Sequence, residues 1–119
     1  MKKFLLFITI FLCTISKINA ESIKRITVGN IDAKITIIAF ESLTCSHCAN
    51  FHKDVYPQLK KEYLDTGLAK IEFRHFPLDI AAFNASKVSQ CKNDGDSFML
   101  NSLFANQQKW VKGSSVEEA

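Results

Sequence analysis

The residues best suited to chemistry are Cys45 and Cys48, which lie three apart in the motif Cys45-Ser46-His47-Cys48. Where a helix begins, two thiols at this spacing come within disulfide-bonding distance of each other. The free backbone N–H groups of the first turn favour a thiolate on Cys45, and His47 adds a positive charge or a hydrogen bond. The motif predicts thiol–disulfide exchange, with Cys45 as the exposed nucleophile, Cys48 as the buried resolving cysteine and His47 as a support for the thiolate.

A stabilised thiolate also predicts the direction of the exchange. It makes Cys45 a good leaving group and favours the reduced form, so the oxidised pair passes its disulfide to another protein. We therefore expect oxidation of substrate thiols. An isomerase or a reductase is the alternative within the same chemistry.

Other interpretations of the cysteines stay open at this point. The pair could be half of a zinc site completed by His52 and either Cys91 or His75, although the sequence has no second pair of this kind. An inert structural disulfide is disfavoured because so short a loop adds little stability. Cys91 follows an apolar helical pattern and is predicted to be a small buried side chain. His52 and His75 are predicted to be surface or packing residues.

The first twenty residues have the plan of a secretory signal peptide. Met1-Lys2-Lys3 precedes an apolar run over residues 4–15, and Ala20 offers a cleavage point. The run is shorter than the roughly 20 residues that a transmembrane helix needs, so a permanent anchor is the weaker interpretation. We expect residues 1–20 to be a signal peptide, residues 21–119 to form one domain, and the protein to be exported to the periplasm.

The charge balance argues against a polyanionic partner. The chain has 15 basic and 12 acidic residues, and the signal peptide carries three of the lysines, which leaves 15 − 3 = 12 of each sign. A neutral domain does not predict binding to nucleic acid. Removal of the signal peptide also removes Cys13 and leaves one close cysteine pair and Cys91.

The motif lies between a predicted strand and a predicted helix. Residues 35–40 form an almost continuous apolar run, typical of a central strand buried on both faces. The residues that follow Thr44 recur at helical spacing, and this helix is predicted to be kinked by Pro57 near Tyr56 and to end at residues 65–67. Its core stripe is predicted to consist of three residues: Phe51, Val55 and Leu59.

Further strands and helices are predicted on either side. Ile26 and Val28 alternate with polar residues in a short first strand, and Ile71 and Phe73 do so in a strand that ends before Pro77. Strand, helix and strand in this order favour a parallel βαβ unit. The rest of the chain has helical spacing with a break at residues 94–96, and its predicted apolar positions are Ala81, Ala85, Val88, Cys91, Met99, Leu103 and Phe104.

Three separated segments resemble the DsbA-like branch of the thioredoxin-fold proteins, which are bacterial periplasmic disulfide oxidoreductases. They are residues 37–49, which include the Cys-Ser-His-Cys motif, residues 51–59 and residues 73–79. The resemblance implies an α/β thioredoxin-like fold with a helical insertion, a redox-active pair Cys45–Cys48, and neither a metal nor an organic cofactor. It implies reduced or unfolded exported proteins with free thiols as substrates, and reoxidation by a DsbB-like membrane quinone reductase.

The sequence also departs from that family. Ser46 and Lys34 stand where many members carry proline, and neither Pro57 nor Pro77 matches the family's cis-proline that faces the cysteines. Members are roughly twice as long, so we expect an incomplete fold, a βαβ unit with the start of the helical subdomain, from a truncated or split gene. An inactive fragment is the corresponding functional alternative. The strands around Ile37 and Ile71 are expected to lack neighbours, which predicts low stability.

Overall fold

The fold is a small three-stranded sheet with helices packed against one face and one end. It is given by a computed structural model that describes residues 22–112, so the predicted signal peptide lies outside the described residues. The strands are β1 (Ile26–Gly29), β2 (Ile35–Glu41) and β3 (Ala69–His75). The helices are α1 (residues 46–64), α2 (Ile80–Ser89), α3 (Phe98–Ala105) and α4 (Gln107–Trp110). Among these helices, none is long and apolar enough to cross a membrane.

The sheet has the order β1-β3-β2. β2 and β3 are parallel, with Ile37 opposite Ile71, and α1 is the crossover between them. β1 pairs with the other edge of β3 in the antiparallel direction, with Val28 opposite Ile71. The predicted parallel βαβ unit and the predicted short first strand are both confirmed.

The prediction that β2 is a central strand buried on both faces is wrong. β2 is at the edge of the sheet within the described residues, and the side chains of Ile38 and Phe40 are 44% and 62% exposed. β3 is the central strand, so the expectation that the Ile71 strand lacks neighbours is also wrong, whereas the open edge expected beside Ile37 is present on β2. A run of apolar residues indicates a strand, but it does not determine where that strand lies in the sheet.

The helix α1 is continuous but alternates between α-helical and wider π-helical turns. Phe51–Val55 forms the first π-helical segment, directly before Tyr56 and Pro57. The disturbance predicted near Tyr56 therefore occurs as a wide turn. This turn changes which side chains face the sheet: Val55 is 52% exposed and is not a core residue, contrary to prediction, whereas Tyr56 is buried. Phe51 and Leu59 are half-buried and pack against the core.

The core lies between α1, α3 and one face of the sheet. In register across the sheet, Ile26, Phe73 and Ala39 share this face. Other members come from the β2–α1 turn, α1, β3, α2 and α3. The buried residues of the cluster are Ile26, Leu43, Tyr56, Leu64, Ala69, Ile71, Phe73, Ala85, Leu100 and Phe104. Burial of large apolar side chains on this single face supplies most of the driving force for folding.

The predicted helices after Pro77 are present, but the buried face of α2 differs from the prediction. Its buried residues are Ala82, Ala85, Ser86 and Ser89, whereas Val88 is 47% exposed. α2 ends at Ser89, so Cys91 lies beyond the helix and is exposed. The prediction of a buried Cys91 is wrong because the apolar spacing continues two residues past the end of the helix.

Gly29 allows β1 to approach β3 closely, and its replacement is expected to destabilise the protein. Its φ is +104°, and an added Cβ would lie 2.7 Å from the carbonyl oxygen of Ala69. Gly67 also has a positive φ, +77°, but an added Cβ would meet nothing closer than 3.7 Å. Backbone strain alone costs about 1–2 kcal/mol, so Gly67→Ala should lose about that amount and Gly29→Ala more. Denaturant unfolding of both variants measures the difference, and equal losses would contradict this account.

Candidate active site

Cys45 lies at the junction between the end of β2 and the start of α1. It is the N-cap residue of the helix, with extended backbone angles (φ −72°, ψ 120°), and its sulfur accepts a hydrogen bond from the Cys48 N–H at 3.4 Å. This N–H is one of the donors that a helix N-terminus leaves without an intrahelical partner. A negative charge on the Cys45 sulfur therefore faces both a donor and the positive end of the helix dipole.

Cys48 lies one turn further along α1, half-buried against the core. Burial raises its pKa from 9.0 to about 11. The Cys45 side chain and the nearby charge of Glu41 act in the same direction, while the backbone of Ser42 partly opposes them. At neutral pH Cys48 holds its proton, so negative charge on the dithiol is favoured at Cys45.

His47 lies between the two cysteines on the outer side of the turn. It is exposed, as is Ser46, and its ring makes no hydrogen bond to Cys45 among the described residues. The backbone donor, and not the His47 ring, is therefore the group that contacts the Cys45 sulfur in this structure. Any contribution of His47 to the thiolate acts through its charge.

Gln107 of α4 holds the backbone of the active-site turn, a role that could not be predicted from the sequence. Its side-chain N–H group donates to the carbonyl oxygens of Leu43 and Cys45, each at 2.9 Å. Gln107 is buried, and it is separated from these carbonyls by more than sixty positions in the chain. The helices after β3 thus hold the dithiol turn in place.

A second set of hydrogen bonds connects the same turn to the start of α2. The Thr44 hydroxyl donates to the Asp79 carboxylate at 2.5 Å, and the Ser42 hydroxyl accepts from the Leu78 N–H at 3.3 Å. Asp79 is also the N-cap of α2 and accepts from the Ala82 N–H at 2.7 Å. The Thr44 hydroxyl, followed by the Ala82 N–H, lowers the pKa of Asp79.

A buried hydrogen bond joins His52 of α1 to Glu41 at the end of β2. The Nε2 atom of His52 is 2.9 Å from the Glu41 carboxylate, and the two side chains are only 5% and 7% exposed. The His52 ring stacks on Phe104 with 4.1 Å between ring centroids, and Phe73 and Tyr56 pack around it. His52 is thus a packing residue, as predicted, but its pairing with Glu41 was not predicted.

The side chains considered for a zinc site have other partners. The ring of His75 hydrogen-bonds to the Ser89 hydroxyl at 2.8 Å, and burial lowers its pKa. His52 pairs with Glu41, and Cys91 is exposed. Within residues 22–112 no group of three or more His, Cys, Asp or Glu side chains is arranged to hold a metal ion.

A parallel βαβ unit with a dithiol at the N-terminus of its helix defines a thioredoxin-like protein. The chain belongs to the thioredoxin family, because the family model described as Thioredoxin matches residues 21–119. It is 36% identical over 92 residues to a Rickettsia bellii protein named "Putative protein-disulfide oxidoreductase", covering 76% of this chain and 36% of the relative. It is 31% identical over 94 residues to disulfide bond formation protein D of Bacillus subtilis, covering 70% of this chain and 41% of that protein.

The solved structures confirm the resemblance to DsbA proteins. The crystal structure of alpha-DsbA1 from Wolbachia pipientis superposes with a TM-score of 0.67 and 36% identity, covering 76% of this chain and 47% of that one. The predicted α/β thioredoxin-like fold with a helical insertion is therefore confirmed. The chain spans less than half the length of each of these three proteins.

Loss of the Gln107 side chain is expected to destabilise the protein. Gln107→Leu keeps the bulk of the side chain but leaves the Leu43 carbonyl oxygen without a donor, whereas the Cys45 carbonyl oxygen still accepts the Ala49 N–H at 3.1 Å. One buried acceptor without a donor costs about 1–3 kcal/mol. Gln108→Leu is the matched control, because Gln108 is exposed. Denaturant unfolding should show a loss for the first variant and little change for the second. Equal stability of the two variants would contradict this role of Gln107.

Asp79 is expected to make the stability of the protein depend on acidic pH. Its pKa is lowered in the folded state from the ordinary 3.8. A carboxyl group of this kind stabilises the folded protein above its unfolded pKa, and this contribution is lost as pH falls through the folded value. Asp79→Asn should therefore lose stability at pH 6, and its difference from the unmodified protein should shrink as the pH falls below the ordinary pKa of 3.8. Urea unfolding from pH 2 to pH 6 measures this, with the exposed Asp54→Asn as control.

Proposed function

We propose that this protein is a thiol–disulfide oxidoreductase that forms disulfide bonds in other proteins through Cys45 and Cys48. The proposal rests on the different environments of the two thiols. The Cys45 sulfur faces a backbone donor at the helix N-terminus, whereas Cys48 is half-buried with a pKa of about 11. One thiol is suited to exchange with a partner and the other to retain its proton.

The reaction follows from this asymmetry. A substrate thiolate attacks Cys45 in the oxidised pair, the Cys45–Cys48 bond breaks, and the electron pair passes to the Cys48 sulfur, which takes up a proton. A second substrate thiolate then attacks the substrate sulfur of the mixed disulfide and expels Cys45 as a thiolate. The substrate gains a disulfide, and the cysteine pair is left reduced. The charge of His47 favours the expelled Cys45 thiolate.

The compartment and partners form the second part of the proposal. Residues 1–20 act as a signal peptide and direct the protein to the periplasm, where disulfides persist. The substrates are reduced or unfolded exported proteins with free thiols. A DsbB-like membrane quinone reductase reoxidises the pair. The names of the relatives, which refer to disulfide oxidoreductases and disulfide bond formation, support this assignment.

Alkylation of the reduced protein is expected to distinguish the two cysteines. At pH 7 a thiol with a pKa of about 11 is deprotonated in about one molecule in ten thousand. Iodoacetamide should therefore modify Cys45 at least about tenfold faster than Cys48, and labelling of Cys48 should rise only as the pH approaches 11. Peptide mapping measures both rates. A Cys91→Ala background removes the exposed third thiol, and equal labelling at pH 7 would sink the proposal.

The activity itself is tested with a reduced, unfolded protein that carries two thiols. The oxidised protein should transfer its disulfide stoichiometrically, Cys45→Ala should abolish the transfer, and Cys91→Ala should leave it unchanged. A pair that is reduced in cells and rearranges mismatched disulfides would instead identify an isomerase or reductase. Failure of the oxidised protein to react with any thiol would indicate an inactive fragment.

A further inference from the structure

Resting on the function proposed above, we infer that the cavity between α1 and the α3–α4 region is a binding subsite for an acidic side chain of the substrate. The cavity has a volume of about 460 Å³. Its lining runs along α1 from Ser46 to Tyr56 and along the facing helices from Asn101 to Gln108. Ser46 directly follows Cys45 in the chain, so one end of the cavity lies beside the active-site turn.

The position of the cavity fits a side chain close to the reacting cysteine of a substrate. In the mixed disulfide the substrate cysteine is bonded to the Cys45 sulfur, so the residues next to it lie close to Ser46 and the start of α1. Residues of an extended segment are about 3.3 Å apart, and a residue two positions from the substrate cysteine is therefore about 7 Å from it. A side chain at this distance reaches the end of the cavity at Ser46.

The lining of the cavity supplies a cation and several neutral hydrogen-bond donors. Lys53 contributes an ammonium group, Ser46 a hydroxyl group, and Asn50 and Gln108 side-chain amides. All four residues are exposed, so a ligand can reach their polar groups. No Asp or Glu is among the described residues that line the cavity. This chemistry favours a group that accepts hydrogen bonds and has a negative charge.

The donors face a ligand from both sides. Ser46, Asn50 and Lys53 follow one another at steps of four and three positions along α1, the spacing of side chains on one side of a helix. Gln108 lies on the facing wall, in α4. A carboxylate between the two walls has donors on each side of it and meets no like charge.

Lys53 is available to pair with such a carboxylate. The salt bridges among the described residues involve Arg25, His52, Lys60 and Arg74, and none of them involves Lys53. The carboxylates nearest to it in sequence and in the site do not compete from within the cavity. Asp54 and Glu41 do not line it, and Glu41 is already hydrogen-bonded to His52 at 2.9 Å.

The rest of the lining fits the methylene groups of an acidic side chain. Ala49, Phe104 and Ala105 give the cavity apolar walls, and the two alanines leave space beside the donors. Glutamate has one more methylene group than aspartate and therefore extends further along these walls. The subsite is thus expected to prefer glutamate.

The bound carboxylate takes no part in the bonds that form or break. It holds the substrate segment over Cys45 before the substrate thiolate attacks, so Lys53 is a specificity-determining residue and not a catalytic one. Exposed ion pairs are weak, and we expect a preference of about twofold to fivefold. Salt should reduce it, because the screening length falls from about 8 Å at 0.15 M to about 3 Å at 1 M ionic strength.

The subsite is tested by competition between two reduced peptides for a limiting amount of the oxidised full-length protein. Each peptide has two cysteines, and the pair differs only in glutamate or glutamine at one of the two positions on either side of the first cysteine. Mass spectrometry gives the ratio of the oxidised products. For at least one position this ratio should be about twofold to fivefold higher for wild type than for Lys53→Gln, and the intrinsic reactivities of the peptides cancel in that comparison.

Lys61→Gln is the matched control. It makes the same change of charge at an exposed position of α1 that does not line the cavity, so it should keep the wild-type ratio. Lys53→Glu should favour the glutamine peptide, and 1 M sodium chloride should bring the wild-type ratio to that of Lys53→Gln. Ala105→Phe fills the cavity from an exposed position and should remove the preference as well.

Three results would count against the inference. A wild-type ratio equal to that of Lys53→Gln at all four positions would overturn the subsite and leave the proposed oxidoreductase intact. An unchanged preference in Ala105→Phe would show that Lys53 acts from the open surface, and it would also overturn the subsite. A wild type that oxidises neither peptide would overturn both the subsite and the proposed function.

Discussion

The structure of the site depends on how the turn between β2 and α1 is held. This turn must present a thiol at the helix N-terminus, and side chains from later parts of the chain hydrogen-bond to it. Gln107 donates from one side to the carbonyl oxygens of Leu43 and Cys45, each at 2.9 Å. On the other side, Asp79 fixes Thr44 and also caps α2. The geometry of Cys45 is therefore a tertiary property, because segments far away in the chain determine it.

The same turn creates the difference between the two thiols. A helix that starts at Cys45 places its own N–H groups near that sulfur, while the next turn of the helix carries Cys48 inward against the core. Burial and the neighbouring charge of Glu41 then keep the inner thiol protonated. Two identical side chains acquire different chemistry from their positions at a single helix start. The difference in chemistry between the two thiols follows from the direction of the helix backbone and does not require a special side chain beside each cysteine.

Local features of the sequence predict more of this site than long-range ones do. The position of Cys45 at a strand–helix junction follows from apolar periodicity on both sides of the motif, and the structure agrees. Gln107 could not be predicted, because its contact with the turn joins segments that the sequence does not relate. The pairing of Glu41 with His52 depends on the twist of α1 over β2 and on the wide turn before Pro57. The failure at Cys91 has a local cause, since a helix end is the least reliable feature of a periodic pattern.

The order of the strands could not be predicted either, and the two faces of the sheet explain why. One face carries Ile26, Ile71 and Phe73 beneath α1, as alternation in each strand predicts. On the opposite face β3 presents a row of charges, in which Glu72 is hydrogen-bonded to Arg74 at 2.6 Å and the Arg74 guanidinium lies 5.7 Å from the centre of the Phe40 ring. Arg74 lowers the pKa of Glu72, so this row is a mutually satisfied ionic cluster. Within the described residues β2 lies at the edge of the sheet, and its exposed side chains Ile38 and Phe40 lie beside this charged row.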